Sequence, residues 1–243
     1  MKKFLLAGTA LLTFVSGSAM AADMRPAPAP APVYTKAPMM PVFSWTGCYI
    51  GVEGGAAWGR SHHEDATGVL ITNDYDVTGG LIGGELGCNY QVSSWLFGLE
   101  GDLSWVTKKG SASDIAPFNT AAVSGTKENW LGTGRARLGF LATPQFLLYA
   151  TGGFAAAGVE ADVTPPGVAT VTETQTRWGW TVGGGGEYAF TNNWSIKAEY
   201  LFVQLQNASY FATPVPTPAG PVVTRGNVPL NNNIVRAGLN YKF

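Results

Sequence analysis

From Trp45 to the end of the chain, apolar and polar residues alternate with a period of two in eight segments, roughly 46–59, 77–91, 94–107, 126–141, 145–159, 173–190, 193–207 and 231–243. That period is the signature of a β-strand with two unlike faces. The last segment shows it most clearly. Val235, Ala237, Leu239, Tyr241 and Phe243 fall on one face, and Arg236, Asn240 and Lys242 on the other. The connections alternate as well: 91–94, 142–145 and 191–193 are tight turns, whereas 60–76, 108–125, 160–172 and 208–230 are long, polar or proline-rich. An even number of strands with every long connection at one end and both chain ends at the other predicts an all-β, eight-stranded antiparallel up-and-down barrel that crosses a membrane.

The sorting of charge between the faces supports the membrane. One parity collects Ile50, Val52, Ile82, Leu86, Tyr90, Trp95, Phe97, Leu99, Leu103, Trp105, Trp130, Leu138 and Phe140, and continues so through the later strands. Within the spans it carries no Asp, Glu, Lys or Arg; Glu128 and Glu160 share its parity only at the loop-side ends. The opposite parity carries Glu53, Glu85, Glu100, Asp102, Arg135, Arg137, Glu187, Lys197, Glu199 and Arg236, with Arg177 and Lys242 nearer the rims. A lysine or arginine facing lipid at mid-depth costs about 2–4 kcal/mol, so a lipid-facing exterior requires this sorting. A lipocalin-like soluble barrel would need the reverse. Aromatic residues cluster toward both ends of the apolar face, as interfacial girdles do. The middle of that face is instead rich in small residues (Gly84, Gly132, Gly134, Ala136, Gly152, Gly184, Gly186), for which the tight curvature of a small barrel is one reason.

Eight strands enclose a lumen that side chains can fill, so inward charges must satisfy one another. Counting outward from the turns sets Glu187 opposite Lys197 and Glu85 opposite Glu100, the second a repulsive pair that Arg135 and Arg137 could relieve. With the two rim bases the interior counts six acids and six bases, which favours a plugged, salt-bridged core over an open pore or a proton relay.

Composition narrows the alternatives. Charged residues make up only 13% of the chain and it holds 32 glycines; no later stretch approaches the ~18 apolar residues of a spanning helix. Residues 1–21 have Lys2 and Lys3, an apolar run and an Ala19-Met20-Ala21 end, the layout of a secretory signal peptide. Residues 22–42 are rich in Pro and Ala and read as an extended periplasmic leader, which leaves 43–243 as the barrel. Taking the two signal lysines from 15 Lys and Arg leaves 13 against 16 Asp and Glu, which gives no support to nucleic-acid binding.

Cys48 and Cys88 are equidistant from the middle of the first long connection and should be cross-strand neighbours on the apolar face. In the oxidising periplasm they either form a disulfide or remain two small thiols in the wall. The only histidines, His62 and His63, stand together in that connection before Glu64 and Asp65; the cluster is a speculative loop ligand site for a metal or an iron-porphyrin, or simply a solvated loop. No strand-borne histidine has a neighbouring serine, so the chain is not expected to be an enzyme. No cofactor is expected.

Several runs together resemble a known family: Phe43-Ser44-Trp45-Thr46-Gly47-Cys48-Tyr49-Ile50-Gly51, Gly87-Cys88-Asn89-Tyr90-Gln91, Gly98-Leu99-Glu100-Gly101-Asp102, Leu148-Tyr149-Ala150-Thr151-Gly152-Gly153 and the terminal Tyr241-Lys242-Phe243. They are similar to the small outer-membrane surface-antigen barrels of alpha-proteobacteria, a family with porin-like, host-contacting and hemin-binding members. The resemblance implies a place in the cell outer membrane among its lipids and a terminal strand read by the barrel assembly machinery through Tyr241 and Phe243. Members commonly have an aromatic residue where Cys48 and Cys88 stand here, and this paired departure supports contact between the two. The expectation is a structural surface barrel with a plugged lumen and four extracellular loops; the alternatives are a narrow porin, or a loop-mediated receptor for hemin or a host surface.

Overall fold

The structure, a computed structural model, describes residues 43–65, 67–116, 121–167, 169–211, 215–217, 220–222 and 228–243. The expected signal peptide (1–21) and leader (22–42) lie outside the described residues.

Seven long strands follow one another: β1 (Gly47–Ser61), β2 (Tyr75–Val92), β3 (Trp95–Ser113), β4 (Val123–Thr143), β5 (Phe146–Thr164), β6 (Val171–Ala189) and β7 (Trp194–Leu205). A short hairpin of β8 (Val215–Thr217) and β9 (Gly220–Val222) interrupts the last long connection before β10 (Leu230–Lys242). The eight long strands close into an antiparallel barrel in which β10 lies between β7 and β1. Closure leaves no edge for another chain to pair with. The hairpin was not legible as alternation because it is only three residues on each side.

Burial alternates along most of each wall strand. Ile50, Ile82, Leu86, Leu99, Leu103 and Trp105 are exposed on the outer wall, and every charge of the expected interior set is buried in the lumen. Trp95 and Trp105 in β3, and Trp130 and Phe140 in β4, are ten residues apart in each case. At about 3.3 Å per residue and a tilt of about 45°, that separation is roughly 23 Å, close to the height of about 25 Å of the apolar band of a membrane barrel. Several strands run on past the upper girdle. β4 has 21 residues where about 9–11 suffice to cross a bilayer, and its extra rungs, like those of β3, β5 and β6, stand on the side of the long connections.

Two register details depart from the sequence reading. The first tight turn is centred between Ser93 and Ser94, so Val92 pairs with Trp95, and Ser93 takes a φ of 56°, the left-handed region that compact hairpin turns use. That centre sets Glu85 opposite Asp102, not Glu100, and Glu100 opposite Gly87. The second detail is a bulge in β4 between Glu128 and Trp130. An extra residue reverses facing along the strand, so Glu128 points into the lumen although its parity matches outward Trp130.

Close packing accounts for only some of the outer-wall glycines. A Cβ at Gly184 would lie 2.8 Å from the Tyr149 carbonyl oxygen and one at Gly186 3.3 Å from the Phe146 ring, whereas at Gly84, Gly132 or Gly152 it would meet nothing closer than 3.5 Å, and at Gly134 nothing within 4 Å. An inward glycine is different: a Cβ on Gly87 would lie 2.5 Å from the Tyr49 hydroxyl oxygen, so Gly87 makes room for that phenol in the lumen.

Candidate functional site

The lumen holds the concentrated chemistry of this protein, and it is layered. At the end of the tight turns, Trp45 is buried against Leu96, Leu147, Tyr149 and Ala189. Its indole Nε1 donates to the Pro144 carbonyl at 3.1 Å, and Phe43 packs edge-on against its ring at 4.9 Å. The chain ahead of β1 thus folds back as a lid on the barrel floor.

Above the floor lies the charge network, with four bases serving six acids. Arg135 bridges Glu100, Asp102 (2.9 Å) and Glu199 (3.0 Å). Arg236 reaches Glu53, Asp102 (3.1 Å) and Glu199 (2.7 Å). Lys197 lies among Glu85, Glu100 (3.3 Å), Glu53 (3.7 Å) and Glu199 (3.9 Å). Arg137 pairs with Glu187 and stacks over the Tyr149 ring at 3.6 Å. Glu187 and Lys197 are opposite in register yet do not pair; Glu187 is held by Arg137, by the Ser195 hydroxyl at 2.5 Å and by the Asn240 amide at 3.1 Å.

The expected balance of six acids and six bases does not hold. Arg177 donates to the Gln206 carbonyl at 2.6 Å, and Lys242 donates to the Ser44 carbonyl, so both rim bases spend their charge on backbone at opposite ends of the barrel. Neutral donors take up carboxylate lone pairs in their place: Tyr49 donates to Glu100, Tyr149 to Glu199 at 3.2 Å, Ser104 to Glu53 at 3.0 Å, and Thr133 to Asp102. These hydroxyls escaped the sequence reading, although each has the inward parity of the charges it serves.

Above the network the lumen turns apolar. Ala57, Leu81, Val106, Leu131, Ala155, Leu201, Val203 and Ile234 pack into one buried cluster, which Tyr210 and Phe211 of the last long connection enter from above. Phe211 sits at φ 52°, and its amide donates to Glu173 at 2.5 Å. Burial pushes the Tyr210 phenol up to about 12. One further ion pair lies inside this apolar layer: Lys108 and Glu128 meet at 2.6 Å with Asn232 bonded to both. The bulge that turns Glu128 inward creates it, and alternation alone cannot reveal a bulge.

Cys48 and Cys88 are opposite in register, exposed on the outer wall, and joined by a disulfide. The two histidines do not form a common site. His63 is fully buried, with Nε2 3.2 Å from the Thr126 hydroxyl. His62 is held between Glu64 at 3.1 Å and Asp74 at 2.9 Å. Adjacent residues in an extended segment point to opposite sides, so the pair cannot grip one external ligand. Among the described residues no three His, Cys, Asp or Glu side chains are arranged to hold a metal ion.

Residues 7–243 match the family model of the outer membrane protein beta-barrel domain. The chain belongs to this family. A 31 kDa outer-membrane immunogenic protein of Brucella melitensis is 36% identical to it, with 100% of both chains covered. A 22 kDa outer membrane protein of Rhizobium leguminosarum is 32% identical over 72% of this chain and 71% of its own. Among solved structures, the outer membrane protease OmpT from Escherichia coli covers 84% of this chain and 99% of its own at 12% identity, with a TM-score of 0.50; at that identity the likeness is one of fold alone. The protein is therefore an outer-membrane β-barrel, and its apolar outer wall is the surface that faces lipid.

Proposed function

We propose that this protein is a sealed, non-enzymatic barrel whose role is to hold four surface loops on a rigid outer-membrane anchor. The observation that carries this reading is the stacking in the lumen: a tryptophan floor, a charge network of buried, mutually bonded side chains, and an apolar ceiling entered by Tyr210 and Phe211. A solute path would need a continuous polar channel, and the apolar layer interrupts it. The long connections face outward and the tight turns face the periplasm. The immunogenic naming of the Brucella relatives accords with surface-exposed loops. The terminal Tyr241 and Phe243, stacked edge-on at 5.9 Å, serve as the signal for the assembly machinery. The charge network acts as structural ballast for the barrel, not as a relay.

Two experiments test this. Proteoliposomes carrying the folded protein should show no swelling in isosmotic glycine or arabinose; swelling at the rate of a porin would overturn the sealed lumen. Intact cells carrying Thr67→Cys in a background with Cys48 and Cys88 changed to serine should take up a membrane-impermeant maleimide, whereas Asn193→Cys in the same background should not. The opposite pattern would reverse the orientation.

A further inference from the structure

The outer wall carries a feature that neither a sealed lumen nor an apolar band requires. Among the described residues three bases point outward at the level of the long connections: Arg60, Lys109 and Lys127. Arg60 is answered by its cross-strand neighbour Asp76 at 3.7 Å. Lys109 and Lys127, in contrast, are directly opposite one another across β3 and β4, both exposed. Like charges in that position destabilise a strand pair. Glu160 at 2.9 Å and Asp162 at 3.9 Å attend Lys127 from β5, but among the described residues Lys109 has no ion pair, and its other neighbour in register is Thr78.

What lies beneath the lysines gives them meaning. On the same two strands Trp105 is paired with Trp130, and Trp105 is 70% exposed. Tryptophan at the end of an apolar wall marks the boundary between hydrocarbon and headgroups. Lys109 is four residues past Trp105, which at about 3.3 Å per residue and a tilt of about 45° is roughly 9 Å higher. The flexible lysine stem can bring the ammonium down from there into the headgroup layer. The wall therefore offers two indoles at the interface and two opposed lysines above them, of which Lys127 is paired with Glu160 and Lys109 is not paired with any acid among the described residues, with Thr78 alongside in register.

We infer that Lys109 and Lys127, with Trp105 and Trp130 below them, form a binding site for a phosphorylated glycolipid of the outer leaflet, the phosphate lying between the two ammonium groups and the acylated sugar against the indoles. An anion at that point removes the repulsion between the lysines and supplies the counter-charge that Lys109 lacks. The acidic pair Glu160 and Asp162 confines it to the β2 side of Lys127. The placement in the outer leaflet rests on the orientation proposed above; the site itself does not.

The test is a titration of the purified full-length protein in neutral detergent micelles with bis-phosphorylated lipid A, read by native mass spectrometry and by tryptophan fluorescence. Enzymatically dephosphorylated lipid A and inorganic phosphate serve as comparison ligands. Wild type should bind the phosphorylated lipid at least tenfold more tightly than the dephosphorylated one, and the difference should shrink as salt is raised. The Lys109→Gln/Lys127→Gln variant should lose that preference, while Arg60→Gln keeps it. All variants are checked for a heat-modifiable band, and Lys109→Arg/Lys127→Arg, which should retain binding, controls for any effect of substitution on folding. Equal binding of both lipids by wild type, an unchanged preference in the double glutamine variant, or saturation by inorganic phosphate with no gain from the lipid would each overturn the inference. Because micelles carry no sidedness, these outcomes are independent of the surface-labelling result that tests orientation.

Discussion

Leu99→Arg places a charge where the assignment of the outer wall to lipid makes its sharpest demand. Leu99 is on the outer wall of β3 and 68% exposed, four residues above Trp95 and six below Trp105. With about 3.3 Å per residue and a tilt of about 45°, it stands roughly 9 Å from the lower girdle and 14 Å from the upper, close to mid-depth. An arginine there should destabilise the folded barrel by about 2–4 kcal/mol. Ser111→Arg, on the same face but beyond the upper girdle, should cost about 0–1 kcal/mol. The assay is reversible urea unfolding from phosphatidylcholine vesicles, followed by tryptophan fluorescence. With a slope of about 3 kcal/mol per M, the Leu99→Arg midpoint should fall by roughly 1 M relative to wild type while Ser111→Arg barely moves. Equal midpoints for the two variants would mean that Leu99 does not face hydrocarbon, and the assignment of the faces would fail.

Four further outcomes follow from the same structure. Arg135→Met leaves Glu100, Asp102 and Glu199 without their shared partner and should cost about 3–5 kcal/mol in the urea assay; a loss below 1 kcal/mol would show that the network is not tightly coupled. Lys108→Met alone should be destabilising, but Lys108→Met/Glu128→Leu, which replaces the isolated pair of the apolar layer, should recover to wild-type stability or exceed it by about 1–4 kcal/mol; a double variant as unstable as the single would refute the burial of that pair. Replacing Cys48 and Cys88 by serine removes a cross-link of sequence separation 40 and should lower stability by up to about 4 kcal/mol through the unfolded chain, with no change in the heat-modifiable band; identical urea midpoints would argue against the bond. At the surface, the Val69 amide and the Thr67 hydroxyl and amide bond to Asp65 and hold its carboxyl below the ordinary value. A lowered folded-state value means the stabilisation is present above the usual carboxylate range, about 3.9, and lost as pH falls below it. Protection of the Val69 amide against hydrogen exchange should therefore decline on acidification, and Asp65→Asn should abolish that pH dependence.

Much of this architecture is written in the alternation. Strand number, facing and the inward charge set are all period-two properties, and a membrane that penalises any outward charge makes them unusually legible. What escapes is whatever one residue can change. The turn at Ser93 and Ser94 is one position later than its neighbours suggest, and that single step exchanges Glu100 for Asp102 opposite Glu85. The β4 bulge reverses Glu128 and creates the pair with Lys108. Arg177 and Lys242 have the right parity for the network but sit at the rims, where backbone carbonyls are nearer than carboxylates. The entry of Tyr210 and Phe211 into the mouth depends on a connection folding back, and a nonperiodic segment carries no signal of where it returns. The histidine pair failed for the opposite reason: adjacency in sequence suggested a joint site, but an extended chain separates neighbours to opposite sides.

Whether the lumen is sealed is decided by single-channel recording in a planar bilayer. Protein taken from the heat-modifiable folded band should insert without producing stepwise current at moderate voltage. Discrete, reproducible conductance steps from that same band, altered in size by Glu100→Gln or Arg135→Met, would contradict it and make the charge network the lining of a pore.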